Sequence, residues 1–282
     1  MKSTQTNKVI HGDSDQILSE LIKSGCTVDL ILTDPPYNLF KDFGNDSDSL
    51  SLPEFINVSR DRIEKCRDLL NDTGSLVWFG IHNYIGFLQV LMYEAGLSYR
   101  RMNIWNYQNG FSRSKRVPRA EYEPFLWFSK SDKHWTYNVD DIRVPYKSTD
   151  RLKNPVWYTT SKGERKKWEP NPEGAMRGDI WSYPTLSGKS FENERTSHPT
   201  QKPESLFREL IKAFCPKNKE GYYEGTILDP FLGSGTTAVC AEKLNAEGHN
   251  INWIGIELEE RWCQIAEKRI NQVKESQQAT LL

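Results

Sequence analysis

Cysteine is scarce in this chain and follows no binding pattern. Cys26, Cys66, Cys215, Cys240 and Cys263 are odd in number and widely scattered, with no Cys-x-x-Cys pair. Neither a disulfide framework nor a zinc site is suggested by that pattern. Long apolar runs are missing too, and nothing approaches the roughly 20 residues that a bilayer crossing needs. The opening Met1-Lys2-Ser3-Thr4-Gln5-Thr6-Asn7 lacks the apolar stretch of a secretory leader. A cytoplasmic protein with no membrane attachment is expected. His11, His82, His134 and His249 show no metal-ligand spacing, so no metal is expected. No complete phosphate loop of the Gly-x-x-x-x-Gly-Lys-Ser/Thr type occurs, and there is no repeat or low-complexity segment.

Excess charge of either sign is also lacking overall, but its distribution is uneven. The 282 residues carry 37 Lys/Arg and 38 Asp/Glu, a net of −1. Residues 100–177 hold 17 Lys/Arg against 9 Asp/Glu, a net of +8, which leaves −9 for the rest. Residues 100–181 also hold Trp105, Trp127, Trp135, Trp157, Trp168 and Trp181, six of the nine tryptophans. Basic charge interleaved with aromatics suits phosphate contact and base stacking. It suits equally a solvated surface over an aromatic mini-core, because composition cannot place a side chain on a surface.

The length allows one large domain or a domain with a sizeable insertion. Its first section reads as α/β. Val28-Asp29-Leu30-Ile31-Leu32-Thr33 is a short apolar run ending in Asp34-Pro35-Pro36-Tyr37, as a buried parallel strand does at its carboxyl end. Helical spacing follows over 52–70, a strand over 75–79 and a helix over 84–95. Residues 106–195 are rich in turn formers, with a strand at 125–128 and a short one beginning at 135–138. A stretch of irregular chain that long is more often functional than idle. The last section returns to α/β: a helix over 203–214, a strand at 226–229, a glycine-bearing loop, a helix over 237–244, a strand at 251–257 and a helix over 260–273, with a frayed tail. Strands alternating with helices imply a parallel sheet covered on both faces. The chain thus divides into 1–105, 106–195 and 196–282.

Two constellations carry chemistry. The first is Leu228-Asp229-Pro230-Phe231-Leu232-Gly233-Ser234-Gly235-Thr236-Thr237, a strand running into a glycine loop and then a helix. Such a turn brings a ligand close to bare backbone amides. Glu257 ends the next strand, 22 residues beyond Gly235, where a carboxylate can accept hydrogen bonds from both hydroxyls of a ribose. The third glycine of the dinucleotide fingerprint is replaced, so a nucleoside carrying an amino acid fits better than a dinucleotide. The second constellation is Asp34-Pro35-Pro36-Tyr37. Two prolines remove two amide donors and stiffen the turn. Asp34 and the Pro35 carbonyl can accept both N–H bonds of an exocyclic amine, and Tyr37 offers a flat face to an extruded base. A rigid strand-to-loop turn explains Pro-Pro as well when that tetrapeptide is taken alone.

Together these motifs resemble the DNA amino-methyltransferases, the family acting on adenine N6 or cytosine N4. Asp34-Pro35-Pro36-Tyr37 matches its catalytic motif. Phe231, Gly233 and Gly235, with Asp229, Ser234 and Thr236 around them, match its cofactor loop, and Glu257 its ribose-binding acid. His198-Pro199-Thr200-Gln201-Lys202-Pro203 looks like the segment that closes over the methionine end of the cofactor. Gly12-Asp13 resembles the early Gly-Asp near the cofactor's adenine, and Gly178-Asp179-Ile180-Trp181 the sequence before the His-Pro-Thr segment.

The order of motifs, catalytic first and cofactor loop last, is similar to the family's beta subgroup. That resemblance implies a circularly permuted, doubly wound α/β fold with a seven-stranded, mostly parallel sheet containing one antiparallel strand. It implies S-adenosylmethionine as cofactor and double-stranded DNA as substrate, with Asp34 lying between target amine and cofactor. It makes 106–195 the seat of target recognition, with Arg113, Lys115, Arg116 and Arg119 as candidate phosphate partners. A homodimer and a cognate restriction endonuclease are further expectations of this kind. The carboxylate at position 34 resembles the adenine-directed members, since serine is commoner there among cytosine-N4 enzymes. Cytosine C5 chemistry, which needs a cysteine presented as Pro-Cys, has no counterpart here.

Overall fold

The computed structural model describes residues 6–39, 49–107, 115–148, 150–154 and 156–280. Among them, one central sheet has eight strands. In chain order its elements are β1 (Lys8–His11), α1 (Ser14–Lys23), β2 (Val28–Thr33), α2 (Leu52–Leu69), β3 (Leu70–Phe79), α3 (Ile85–Glu94), β4 (Ser98–Asn106) and β5 (Tyr122–Ser129). After a short helix, α4 (Asp150–Lys153), a separate two-stranded hairpin is formed by β6 (Val156–Thr159) and β7 (Arg165–Trp168). The sheet resumes with β8 (Ile180–Ser182), followed by α5 (Glu204–Phe214), β9 (Glu224–Asp229), α6 (Thr236–Ala246), β10 (Asn250–Glu257) and α7 (Glu260–Thr280).

The spatial order is β1-β10-β9-β2-β3-β5-β4-β8. Only β5 runs against its neighbours. The seven strands expected for the fold are joined at the edge by an eighth, the three-residue β8 beside β4. The permutation is visible in the pairing of β1 with β10, where Lys8 lies opposite Ile254. The two chemical motifs meet because β2 and β9 are neighbours, Leu30 opposite Ile227. From β9 the chain winds outward to β10, and from β2 it winds the other way to β3. The crevice beyond their carboxyl ends is thus a topological switch point, where open α/β sheets bind ligands.

Both faces of the sheet are dry, which explains the near-continuous apolar strands. Leu30, Leu32, Val77, Phe79, Phe125 and Trp127 pack toward α5 and α6 with Phe207, Leu210 and Ala238. Ile31, Leu76, Trp78, Leu126 and Phe128 pack toward α1, α2 and α3 with Leu18, Ile63 and Leu88. The period of two along each strand assigns alternate residues to opposite layers.

Some expectations change. No strand begins at Trp135; the chain there leads into a short 3-10 helix, Val139–Ile142. The tail expected to fray continues as helix to Thr280. Of the six tryptophans in residues 100–181, Trp105, Trp127 and Trp181 are core residues, so half of the aromatic signal belongs to packing. Trp135 and Trp157 are exposed, each with an arginine guanidinium over its ring, Arg100 at 3.4 Å and Arg165 at 5.4 Å.

Candidate active site

A cleft, open at its mouth, lies across the carboxyl ends of β1, β2, β9 and β10. Its lining includes Asp13, Asp34, Pro35, Pro36, Tyr37, His198, Thr200, Lys202, Asp229, Phe231, Gly233, Ser234, Thr236 and Glu257. Residues far apart in sequence therefore share one wall.

At the β9–β10 end, Glu257 accepts backbone N–H bonds from Gly233 at 2.8 Å and Glu259 at 2.9 Å. Burial raises its pKa, and those amide bonds offset part of the rise. Each carboxylate oxygen keeps a lone pair for a further donor. Gly233 has φ +54°, and a β-carbon there would stand 3.0 Å from His198 Nε2. The His198 ring meets Trp262 edge-on at 4.7 Å. Asp13 caps α1, its Oδ1 accepting from the amides of Asp15 at 2.8 Å and Gln16 at 3.1 Å. Ser234 and Thr236 are buried and bonded to Arg269 of α7.

Gly235 stands apart from this group. It is absent from the cleft wall, has φ +85°, and a β-carbon on it would lie 2.8 Å from Ala266 Cβ and 3.0 Å from Ala266 Cα. Glycine at 235 is required by the left-handed turn into α6 and by close packing on α7, a need that stands beside the cofactor-loop role the motif implies.

At the β2 end, four side chains close a ring of hydrogen bonds. The Tyr37 hydroxyl bonds Asp34 Oδ1 and lies 3.0 Å from Glu123 Oε2. Lys202 Nζ donates to Asp34 Oδ2 at 2.5 Å and pairs with Glu123 Oε2 at 3.1 Å. Lys202 is buried, with the rings of Tyr37, Phe79 and Trp105 between 5.2 and 5.6 Å from its ammonium. Burial pulls its pKa down, but Asp34 and Glu123 outweigh that and hold it above the usual value. Burial also drives the Tyr37 phenol well above its ordinary range, reinforced by the two carboxylates. The resemblance puts Lys202 among the cofactor-binding residues; it lines the cleft, with its ammonium tied to the Asp34 carboxylate.

Sequence reasoning did not find Glu123. One signal was available: it shares strand phase with the inward-facing Phe125 and Trp127 of β5, so a lone carboxylate there must face the core. Arg62 was also missed. It lines the cleft, is held bidentately by Asp15 at 2.9 and 3.1 Å, and lies over the Phe231 ring at 5.0 Å.

Of the candidate DNA-binding residues, Lys115, Arg116 and Arg119 are exposed, and Arg119 is paired with Glu121 at 2.6 Å. Arg113 lies outside the described residues.

The donor set of the cleft fits S-adenosylmethionine. Glu257 offers carboxylate acceptors for ribose hydroxyls, while Phe231, Ile256, Leu258 and Trp262 supply an apolar wall for a purine. The two Lys/Arg cations in the wall, Arg62 and Lys202, are each already bound to carboxylates, which suits a nucleoside better than a pyrophosphate.

The family of DNA methylases for N6 and N4 amino groups matches residues 28–268. The Type II methyltransferase M1.MboII of Moraxella bovis is 34% identical over 254 residues, covering 88% of this chain and 91% of its own. The DNA adenine methyltransferase YhdJ of Escherichia coli is 29% identical, covering 95% and 83%. The crystal structure of the M1.HpyAVI–SAM complex superposes with a TM-score of 0.64 at 24% identity, covering 94% and 98%. The chain belongs to these DNA amino-methyltransferases, with S-adenosylmethionine as cofactor and DNA as substrate.

Proposed function

We propose that the chain methylates adenine at N6 in double-stranded DNA, after the base has left the duplex. The observation that carries this reading is the single cleft in which Asp34-Pro35-Pro36-Tyr37 and Glu257 share one wall. A base must be extruded to reach so recessed a carboxylate, at a cost of a few kcal/mol. Asp34 and the Pro35 carbonyl accept the two N–H bonds of the amine, turning its lone pair out of conjugation, and Tyr37 covers the ring. S-adenosylmethionine, when bound, supplies an electrophilic methyl group. The amine nitrogen gains that methyl and gives up one proton, which Asp34 is placed to hold. No covalent link to the protein forms, so the acceleration comes chiefly from alignment.

Around the cofactor, Glu257 takes the ribose, Asp13 and Phe231 lie toward the adenine, and His198, Thr200 and Ser234 toward the methionine end. Adenine is favoured by the carboxylate at 34 and by the stated activity of YhdJ. Residues 106–195 serve target recognition in this reading. The Type II name of the Moraxella relative supports a place beside a cognate endonuclease, while a homodimer rests on motif order alone.

Labelled-methyl transfer to DNA, RNA and protein side by side tests the substrate class, with label expected in DNA alone. Asp34→Ala should abolish transfer and leave S-adenosylmethionine affinity within a few-fold. Turnover within tenfold of wild type would remove Asp34 from the mechanism.

A further inference from the structure

Glu123 has no part in holding the amine as described, yet it closes the ring around Asp34. Its Oε2 receives both the Lys202 ammonium at 3.1 Å and the Tyr37 hydroxyl at 3.0 Å. Asp34 thus has each oxygen engaged, one by Tyr37 and one by Lys202. A buried ammonium facing Asp34 alone would dock there fully and compete with an incoming amine. Two carboxylates without the ammonium would repel each other across the one hydroxyl that bridges them, and Asp34 would lose the contact that fixes Oδ2.

We propose that Glu123 and Lys202 act as a positioning pair for methyl transfer. Lys202 fixes Oδ2 and supplies the counter-charge beside Asp34, while Glu123 draws the ammonium partly away and anchors the Tyr37 hydroxyl. This rests on the reading of Asp34 as the residue that takes the amine.

Other charged groups reach this point from neighbouring elements. Asp229, ending β9, repels Asp34; burial raises its own carboxyl to about 7. Tyr107, just beyond β4, is pushed to about 12 by burial, then by Glu123, and stays neutral through the working range. His198 and the Arg62–Asp15 pair line the same cleft. Asp229, His198 and the Arg62–Asp15 pair are kept in every variant below; Tyr107 is kept too, though the variants remove Glu123 or Lys202 from beside it.

The test is the pH dependence of single-turnover methyl transfer to a DNA duplex. Lys202→Met should move the acidic limb upward by about 1–2 pH units, since a cation within hydrogen-bond reach is removed. Adding Glu123→Gln to it removes the like charge and should bring the limb at least halfway back. Glu123→Gln alone should slow the plateau about tenfold or more through misplacement of Asp34 and Tyr37, without raising the limb. Lys202→Arg, which keeps the charge, should hold the limb at its wild-type position.

A wild-type limb in Lys202→Met, or no return in the double variant, overturns the proposal. Should Lys202→Met not fold, the near-isosteric Glu123→Gln still decides, because a wild-type plateau there overturns it as well. Asp34→Asn separates the two levels. If it is inactive while the pair variants behave as wild type, only the positioning pair fails; if it is active, the amine-holding reading fails first.

Discussion

Thr33, at the end of β2, donates its hydroxyl hydrogen to Asp229 Oδ1 at the end of β9, 3.1 Å away. The bond ties the catalytic half of the chain to the cofactor half at the floor of the cleft. Thr237 donates to the other carboxylate oxygen at 2.6 Å, and the Phe231 amide to Oδ1 at 3.2 Å. Burial nonetheless raises the Asp229 carboxyl from 3.8 to about 7. A raised carboxyl pKa means that ionisation costs more in the folded state than in the unfolded one. Below about pH 4 both states are protonated and there is no cost; from there to about pH 7 the cost grows, by at most about 1.4 kcal/mol per pH unit. Asp229→Asn should therefore gain stability relative to wild type as pH rises from 4 to 7, and hold that gain above 7. Paired thermal melts check this, and a constant difference across the range would contradict it.

Gly235→Val should act as a folding defect. A side chain there meets Ala266 backbone in a left-handed turn, and overpacking with strain costs about 2–4 kcal/mol together. The melting temperature should drop whether or not S-adenosylmethionine is present. An unchanged melting temperature with selective failure of cofactor binding would return Gly235 to the ligand wall.

Glu257→Ala should weaken S-adenosylmethionine binding in a protein that still folds. A charge-assisted acceptor is worth roughly 1.5–3 kcal/mol, or about 10- to 150-fold in affinity. The Gly233 amide, which now donates to Glu257 at 2.8 Å, also loses its partner. Calorimetric titration reads the affinity, and an unchanged value would place the cofactor elsewhere.

Much of the fold was legible in the sequence where one physical signal dominated. Apolar runs gave β2 and β9, and helical spacing of Leu206, Phe207, Leu210 and Ile211 gave α5. β4 escaped because Arg100 and Arg101 interrupt its pattern; Arg100 turns out to Ser129 and Ser131. β8 has three residues, and a strand so short forms only because β4 offers a free edge. In the candidate site, Asp34 to Tyr37 line the cleft together, as do Asp229 to Ser234, because spacing fixes each run within one turn. Glu123 was missed because its partners lie 86 and 79 residues away in sequence, a proximity that only the sheet order creates. Gly235 carries a further need, close packing on Ala266 of α7, which no local pattern reports.

Neutralising Lys115, Arg116 and Arg119 together should weaken DNA binding and flatten its salt dependence. Each phosphate left without its cation lowers the slope of log K against log salt by roughly 0.9. Arg119 already pairs with Glu121, which reduces its own share. Binding titrations between low and physiological salt check this; an unmoved slope would make the run a solvated loop.

Nucleoside analysis of DNA modified by the pure enzyme tests the central claim most directly. The cleft presents a carboxylate, Asp34, beside the stacking ring of Tyr37, and the account reads it as a slot for a purine whose amine is turned toward the cofactor. Complete digestion followed by mass spectrometry should give N6-methyladenine as the methylated product, and none when Asp34→Asn replaces the wild type. N4-methylcytosine as the dominant product would contradict the base assignment, and N6-methyladenine formed at wild-type yield by Asp34→Asn would contradict the mechanism.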